Sequence, residues 1–252
     1  MFDQSPYPCR IEWGARGARE AAERGDIIIV VDILSFSSTV VTAIHHGAII
    51  YPYPFYKDGK ELEYAMKVGA ELILGRAESI KCGSPTLSPI TFNHTHRNNK
   101  YVLCSLNGAL CSWVAGKASV LLIGSLLNSS AVASYANQLQ DNTGSAITII
   151  ACGERWDNVT DGENSLRPAI EDYLGAGAIL SNVKGELSPE AELCANAFKS
   201  VEHRIQDLLW ECGSGRELRQ KGYEQDVIHA SRLDLYPTVP ILSSAHFVSV
   251  EV

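Results

Sequence analysis

The sequence predicts a three-layer α/β/α sandwich on a mainly parallel central sheet. Three observations lead there. Apolar strand-like runs alternate with helical segments along the chain. The clearest run, Ile27 to Val31, has no polar alternation, as a strand buried on both faces requires. The turns between elements are mostly short and rich in Gly, Asn, Asp and Ser. The 252 residues fit one α/β domain spanning 1–252, with no composition break to divide it.

The elements follow in order. The β-branched run Ile27 to Val31 ends at Asp32. Ser37-Ser38-Thr39 opens a helix to about His46, since hydroxyl side chains satisfy free N–H groups at a helix start, and Gly47 stops it. Ala48 to Tyr53 is the next strand. A helix capped by Asp58 runs to Val68 and ends at Gly69, and Glu71 to Leu74 is a short third strand. Gly75 to Lys100 is a long polar connection, of a length that usually carries function. Tyr101 to Cys104 is a strand, and Asn107-Gly108 leads into a helix to about Lys117. Val120 to Ile123 precedes Gly124-Ser125 and a helix over Asn128–Gln140. Ala146 to Ala151 runs into Cys152-Gly153-Glu154. Helices are expected over Arg167–Val183, Pro189–Trp210 and Arg216–His229, with His246 to Val250 as an edge strand.

Composition excludes several classes. With 46% apolar and 20% charged residues the chain carries a real core, and its net charge of −8 argues against nucleic acid or an anionic membrane as partner. No apolar run reaches the roughly 20 residues of a spanning helix, and Met1 to Arg10 lacks the apolar stretch of a signal peptide. Seven cysteines, none spaced C-x-x-C, read as reduced thiols of a cytoplasmic protein. Trp113, Trp156, Trp210 and the tyrosines between 51 and 56 supply aromatic surface for either a core or a homodimer.

In parallel α/β sheets, ligands bind beyond the carboxyl ends of the strands. Asp32 sits at such an end, where a carboxylate is costly unless it caps a helix or meets a cation. Ser37, Ser38 and Thr39 offer hydroxyls at a helix start, as either plain caps or anion ligands. Asn107-Gly108 is either a helix entry turn or a close approach to a ligand. Glu78, Glu154, Asp157, Glu171 and Asp172 follow other strand ends, and carboxylates gathered from separate strands are what Mg²⁺ needs. His94-x-His96 reads as a surface loop or a metal pair, and His45-His46 as a partner for a helix C-terminus.

The chain has no G-x-G-x-x-G after a strand, no P-loop and no G-x-S-x-G elbow. It also lacks a second aspartate near Asp32 and a cysteine followed six residues later by arginine. Phosphoester chemistry here would depend on a metal-activated water, in the absence of an obvious protein nucleophile.

Taken in order, the strand-end segments resemble the 2-phosphosulfolactate phosphatase family. Val31-Asp32-Ile33-Leu34-Ser35-Phe36-Ser37-Ser38-Thr39 is similar to its V-D-V-L-R-A-[ST]-[ST]-T, and Leu74-Gly75 with Glu78 to L-x-G-E. Ser88-Pro89 is similar to the end of G-N-S-P, Ser105-Leu106-Asn107-Gly108 to T-T-N-G, and Gly124-Ser125-Leu126-Leu127-Asn128 to G-S-x-x-N. Ile150 to Gly153, Ala169 to Asp172 with Gly175-Ala176-Gly177, and Gly215-Arg216-Glu217-Leu218 with Gly222 and Asp226 complete the series.

The resemblance implies a Mg²⁺-dependent phosphatase hydrolysing a small anionic phosphoester, 2-phospho-3-sulfolactate to sulfolactate and phosphate, a step of coenzyme M synthesis. It implies Asp32 and Glu171 as catalytic residues, and Asp32, Glu78, Glu171 and Asp172 as the metal set. Ser37, Ser38, Thr39, Asn107, Gly108, Ser125 and Asn128 are implied to bind substrate. The chain departs from the pattern at Ser35, where the family carries arginine, and at Phe36, Leu87, Leu106 and Ala109. Arginine to serine removes a charge-assisted contact worth roughly 1.5–3 kcal/mol. The alternative expectation is therefore a catalytically altered or inactive relative that binds a small ligand or protein partner.

Overall fold

The computed structural model describes residues 3–55, 59–73 and 84–250. Among them, nine strands form one sheet in the order β1-β7-β2-β6-β10-β11-β3-β5-β4. The strands are β1 (Cys9–Trp13), β2 (Ile27–Val31), β3 (Ile49–Pro54), β4 (Glu71–Leu72), β5 (Lys100–Ser105), β6 (Val120–Gly124), β7 (Ile147–Ala151), β10 (Pro240–Ser243) and β11 (His246–Ser249). A separate two-residue ribbon pairs β8 (Glu154–Arg155) with β9 (Leu166–Arg167).

The sheet has two parallel blocks, β1-β7-β2-β6 and β3-β5-β4, joined through the antiparallel hairpin β10-β11. His246 to Val250 is expected at an edge but lies inside the sheet, because Pro240–Ser243 before it is a strand too and the pair inserts as a unit. In the first block Val31 pairs with both Gly124 and Ala151, so Asp32, Ser125 and Cys152 leave the sheet side by side.

Helices cover both faces. Ile27, Ile29 and Val31 of β2 face a core shared with α5 (Ser129–Thr143), α6 (Ile170–Leu180) and α7 (Pro189–Val201). Ile28 and Val30 face the opposite core, with α1 (Gly14–Arg24), α2 (Phe36–His45) and α4 (Gly108–Val114). Every β2 side chain is buried, which is why its sequence never alternates. Burial at roughly 1.5–3 kcal/mol for each large side chain makes this strand a firm mount for Asp32. A smaller cluster, Tyr51, Ala65 and Val102, holds α3 (Lys60–Val68) against the second block.

Two expected helices are divided. Pro189–Trp210 breaks at a 3₁₀ turn, Glu202–Arg204, into α7 and α8 (Ile205–Glu211). Its buried positions Ala191, Cys194, Ala195, Phe198, Ile205 and Leu209 keep one helical period through the break, so periodicity could not reveal it. Arg216–His229 divides into α9 (Gly213–Gln220) and α10 (Glu224–Ala230) at Gly222, whose φ of +82° leaves the helical region. The expected cap Asp58 and the third-strand residue Leu74 lie outside the described residues. No described helix is long and apolar enough to cross a membrane. The six described cysteines are free.

Candidate active site

The site is built where β2, β5, β7 and the start of α6 meet. Asp32 follows the last residue of β2, and its Oδ1 accepts from Phe36 N (3.3 Å), the first residue of α2. Its Oδ2 accepts from Gly108 N (2.8 Å), the first residue of α4. One carboxylate thus caps two helices, whose dipoles favour negative charge there. A Cβ on Gly108 would lie 2.3 Å from Phe36 Cδ1 and 2.7 Å from Asp32 Oδ2, so only glycine permits this approach.

Asp172 in the first turn of α6 makes the second link. Its Oδ1 accepts from Ile33 N and its Oδ2 from Gly153 N, both at 2.8 Å. The amide of Asn107 closes the circuit by donating to Glu154 Oε2 at 2.9 Å. From Asp32 the path runs through Gly108 and Asn107 to Glu154, through Gly153 to Asp172, and through Ile33 back to Asp32. Segments far apart in sequence are locked into one floor. Glu171, beside Asp172, is buried with Asp32 and Asp172.

The electrostatics follow from crowding. Burial raises the Asp32 carboxyl to about 6, against the Gly108 and Phe36 N–H bonds, and the Glu171 charge adds to the rise. Glu154 is raised to about 7 by burial and then by the Asp32 and Glu171 charges, with Asn107 and Arg167 opposing. Asp172 is pushed well above the usual carboxylate range by burial and by the same two charges. Burial likewise raises the Cys152 thiol, leaving it a packing group and a poor nucleophile. Among the described residues no three His, Cys, Asp or Glu side chains form a ready-made metal cage.

Beside the Asn107–Glu154 link opens a cleft of about 160 Å³, lined in part by Arg16, Leu106, Asn107, Cys152, Glu154 and Arg155; Asp32, Glu171 and Asp172 do not line it. The family described as 2-phosphosulpholactate phosphatase matches residues 16–245, a span that contains the floor and the cleft's polar wall. The chain belongs to that family. A probable 2-phosphosulfolactate phosphatase of Thermotoga petrophila is 28% identical over 229 residues, 88% of this chain and 92% of that protein. One from Carboxydothermus hydrogenoformans is 29% identical over 220 residues, 84% of each. The 2-phosphosulfolactate phosphatase of Methanothermobacter thermautotrophicus is 27% identical over 223 residues, 88% of this chain and 89% of that protein. The family's proteins carry the names of phosphoric monoester hydrolases.

The residues read from the phosphatase pattern fall into three groups. Asp32, Asn107, Gly108, Glu171 and Asp172 meet at the floor. Ser37, Ser38 and Thr39 are fully buried, and their hydroxyls donate inward to the carbonyls of Val30, Ile33 and Leu87. Ser125 and Asn128 form a capping box, and Asn128 also donates to the carbonyls of Ile123 and Thr238. In this conformation those five side chains bind backbone and brace the rim. Glu78 and Leu74-Gly75 lie outside the described residues. His94 and His96 sit in a 3₁₀ turn capped by Asn93, and His45 stacks on Tyr236.

At the departures, Ser35 and Phe36 are buried, Phe36 completely, beside Gly108. Leu106 is 41% exposed on the cleft wall. Sequence reading did not single out Arg167, a cation acting on Glu154, nor Arg16 and Arg155 of the cleft. The signal for Arg167 is weak, a two-residue ribbon pairing it with Glu154.

Proposed function

We propose that this protein is a Mg²⁺-dependent phosphatase of a small, multiply anionic phosphoester, and that 2-phosphosulfolactate, which its relatives are named for, is that substrate. The observation that carries the reading is the circuit of hydrogen bonds placing buried Asp32 and Asp172 and half-buried Glu154, with buried Glu171, on one floor. Asp32 and Asp172 are buried beside carboxylates whose charge raises them, and backbone N–H donors oppose the rise, whereas at Glu154 Arg167 opposes it.

The donor set suits a hard divalent cation. It consists of carboxylate oxygens, and Mg²⁺ is held by one or two of these while keeping several waters, so a full protein cage is unnecessary. Asp32, Glu171 and Asp172 are the described residues that would hold it. Bound there, Mg²⁺ supplies positive charge against the phosphoryl oxygens.

The chain's own groups do the rest. The two helix N-termini that hold Asp32 fix its carboxylate. Glu154, raised to about 7 and fixed by Asn107, is suited to take a proton from an attacking water near neutral pH. Water oxygen bonds to phosphorus, the ester P–O bond breaks, and the leaving alkoxide regains a proton, giving the alcohol and phosphate. The test is release of phosphate from 2-phosphosulfolactate by the purified chain with Mg²⁺ and with a chelator. Turnover that needs the metal is expected; no release from this or any small phosphoester rejects the reading. The exposed Leu106 and the serine at position 35 favour a second reading, a ligand-binding relative without hydrolysis. That reading predicts substrate binding by calorimetry with no phosphate released.

A further inference from the structure

The floor described above accounts for carboxylates and a cation but not for what grips the anion. The arginine of the family pattern is Ser35 here, and the Ser37, Ser38 and Thr39 hydroxyls are engaged with backbone carbonyls. An unused donor lies at the start of α9. Ser214, its second residue, is 5% exposed, and its Oγ is buried with no hydrogen-bond partner among the described residues. A buried hydroxyl left unpaired costs about 1–3 kcal/mol and signals a missing partner.

Three further observations converge on the same spot. Gly213 is exposed between buried Cys212 and Ser214, so the helix start is open to solvent at one residue. A Cβ on Gly213 would lie 3.5 Å from Arg167 Nη2 and 3.7 Å from Nη1, which sets a guanidinium beside the helix start. The first turn of α9 carries no acidic residue, and its cap is the Cys212 sulfur, which accepts from Gly215 N at 3.3 Å. The Cys212 S–H itself donates to the Leu209 carbonyl at 3.2 Å, so this cap is a thiol and brings no negative charge to the dipole.

The location ties this corner to the floor. The Glu171 charge bears on Cys212, and Arg167 acts on Glu154 from the paired strand. An anion seated here lies next to the buried carboxylates and their cation.

We propose that Arg167, the Ser214 hydroxyl and the backbone at Gly213 form a phosphate-binding subsite that holds the phosphoryl group of the substrate beside the acidic floor. This rests on the phosphatase reading for its place in a reaction, but its ligand chemistry, a tetrahedral phosphate dianion, stands on the donors alone.

The test uses the full chain with Mg²⁺ present and inorganic phosphate as the probe, read by calorimetry and by ³¹P line broadening. Methanesulfonate serves as a second probe, because the substrate's sulfonate has the same tetrahedral shape. Arg167→Gln is expected to weaken phosphate binding at least about 10-fold, and Ser214→Ala about 3- to 10-fold. Arg167→Lys is expected to recover part of the loss, and all three should melt within a few degrees of the parent. Parental phosphate affinity in both Arg167→Gln and Ser214→Ala overturns the subsite. So does a loss confined to methanesulfonate, which would make it a sulfonate site. If the parent hydrolyses no phosphoester yet binds phosphate through Arg167, the activity assignment fails and the subsite stands. If the parent turns over while Arg167→Gln keeps its KM and its inhibition by phosphate, the assignment stands and the subsite fails.

Discussion

The two ends of β2 each carry a buried aspartate, and they are treated in opposite ways. Asp26, before the strand, is 3% exposed and meets Arg24 at 2.9 Å, Arg10 at 3.5 Å and the Thr148 hydroxyl at 2.7 Å. Asp32, after the strand, is nearly as buried, and its neighbours are backbone N–H groups, Ser105 and other carboxylates. One end neutralises its charge from within the chain; the other gathers like charges. A buried charge is tolerated when paired, and the proposed function gives the unpaired end a partner from outside. On that proposal the same strand carries a structural carboxylate and a functional one, separated by five residues of apolar core.

The largest effect expected from this contrast is on turnover. Asp32→Asn keeps the shape but removes the charge, and its NH2 can no longer accept from one of the two backbone N–H groups, Phe36 or Gly108. It should lower kcat/KM about 1,000-fold, roughly 4 kcal/mol at the transition state, while the melting temperature changes little, because relief of charge crowding offsets the lost hydrogen bond. A variant that hydrolyses substrate at the parental rate would make Asp32 a helix cap and nothing more.

Asp26→Ala should do the reverse. It strands Arg10 and Arg24 in a buried corner, and breaking a buried pair costs about 3–5 kcal/mol. Denaturant unfolding should show that loss, with turnover per folded molecule unchanged. Equal damage to turnover would mean that the two ends are not independent.

The metal-free protein should also respond to pH in a direction set by the acidic end. The folded pKa of Asp32, about 6, is above its ordinary value of 3.8. The folded state therefore binds the extra proton, and this contribution to stability is fully present below pH 3.8 and lost as pH rises through 6. The loss is roughly 3 kcal/mol for this group, and Glu154, raised to about 7, extends the window upward. Unfolding midpoints measured from pH 4 to 8 with a chelator should fall through this range, and Mg²⁺ should flatten the slope. A midpoint that climbs steadily from pH 4 to 8 without metal contradicts the crowded floor.

The contrast between the ends also explains what the sequence could and could not reveal. β2 was legible because burial on both faces leaves an unbroken β-branched run, and Asp32 stood out as the charge that ends it. Asn107-Gly108 and Glu171-Asp172 were legible because strand ends cluster in α/β sheets. The Ser37, Ser38 and Thr39 hydroxyls share one sequence signature for capping and for anion binding, and only the bonds to Val30, Ile33 and Leu87 show where they point. The β10-β11 hairpin was hidden because Pro240–Ser243 is four residues long and gives no period to read. Three antiparallel steps separate β6 from β3, so the second block formally runs against the first. One shared carboxyl rim was therefore too simple; the ends of β5 and β2 still meet because Gly108 N reaches Asp32. Arg167 was illegible because a two-residue ribbon leaves no periodic trace.

The smallest expected effect sharpens the comparison most, since it separates holding the floor from forming it. Asn107 sits between the two halves of the circuit: its side chain holds Glu154, and the next residue's N–H holds Asp32. Asn107→Ala removes the amide and leaves the backbone link intact. The Asn107 bond lowers the Glu154 pKa, so its loss should move that pKa further above 7. The acidic limb of the kcat/KM profile should then shift to higher pH, with about a 3- to 10-fold loss at pH 7 that narrows toward pH 9. A net hydrogen bond of about 1 kcal/mol sets this scale, and the melting temperature should change little. If the loss is equal at all pH values, Asn107 positions the substrate and Glu154 is not the group that exchanges the proton. Because Asp26 lies at the opposite end of β2 from this circuit, its own variants should leave that limb where it is.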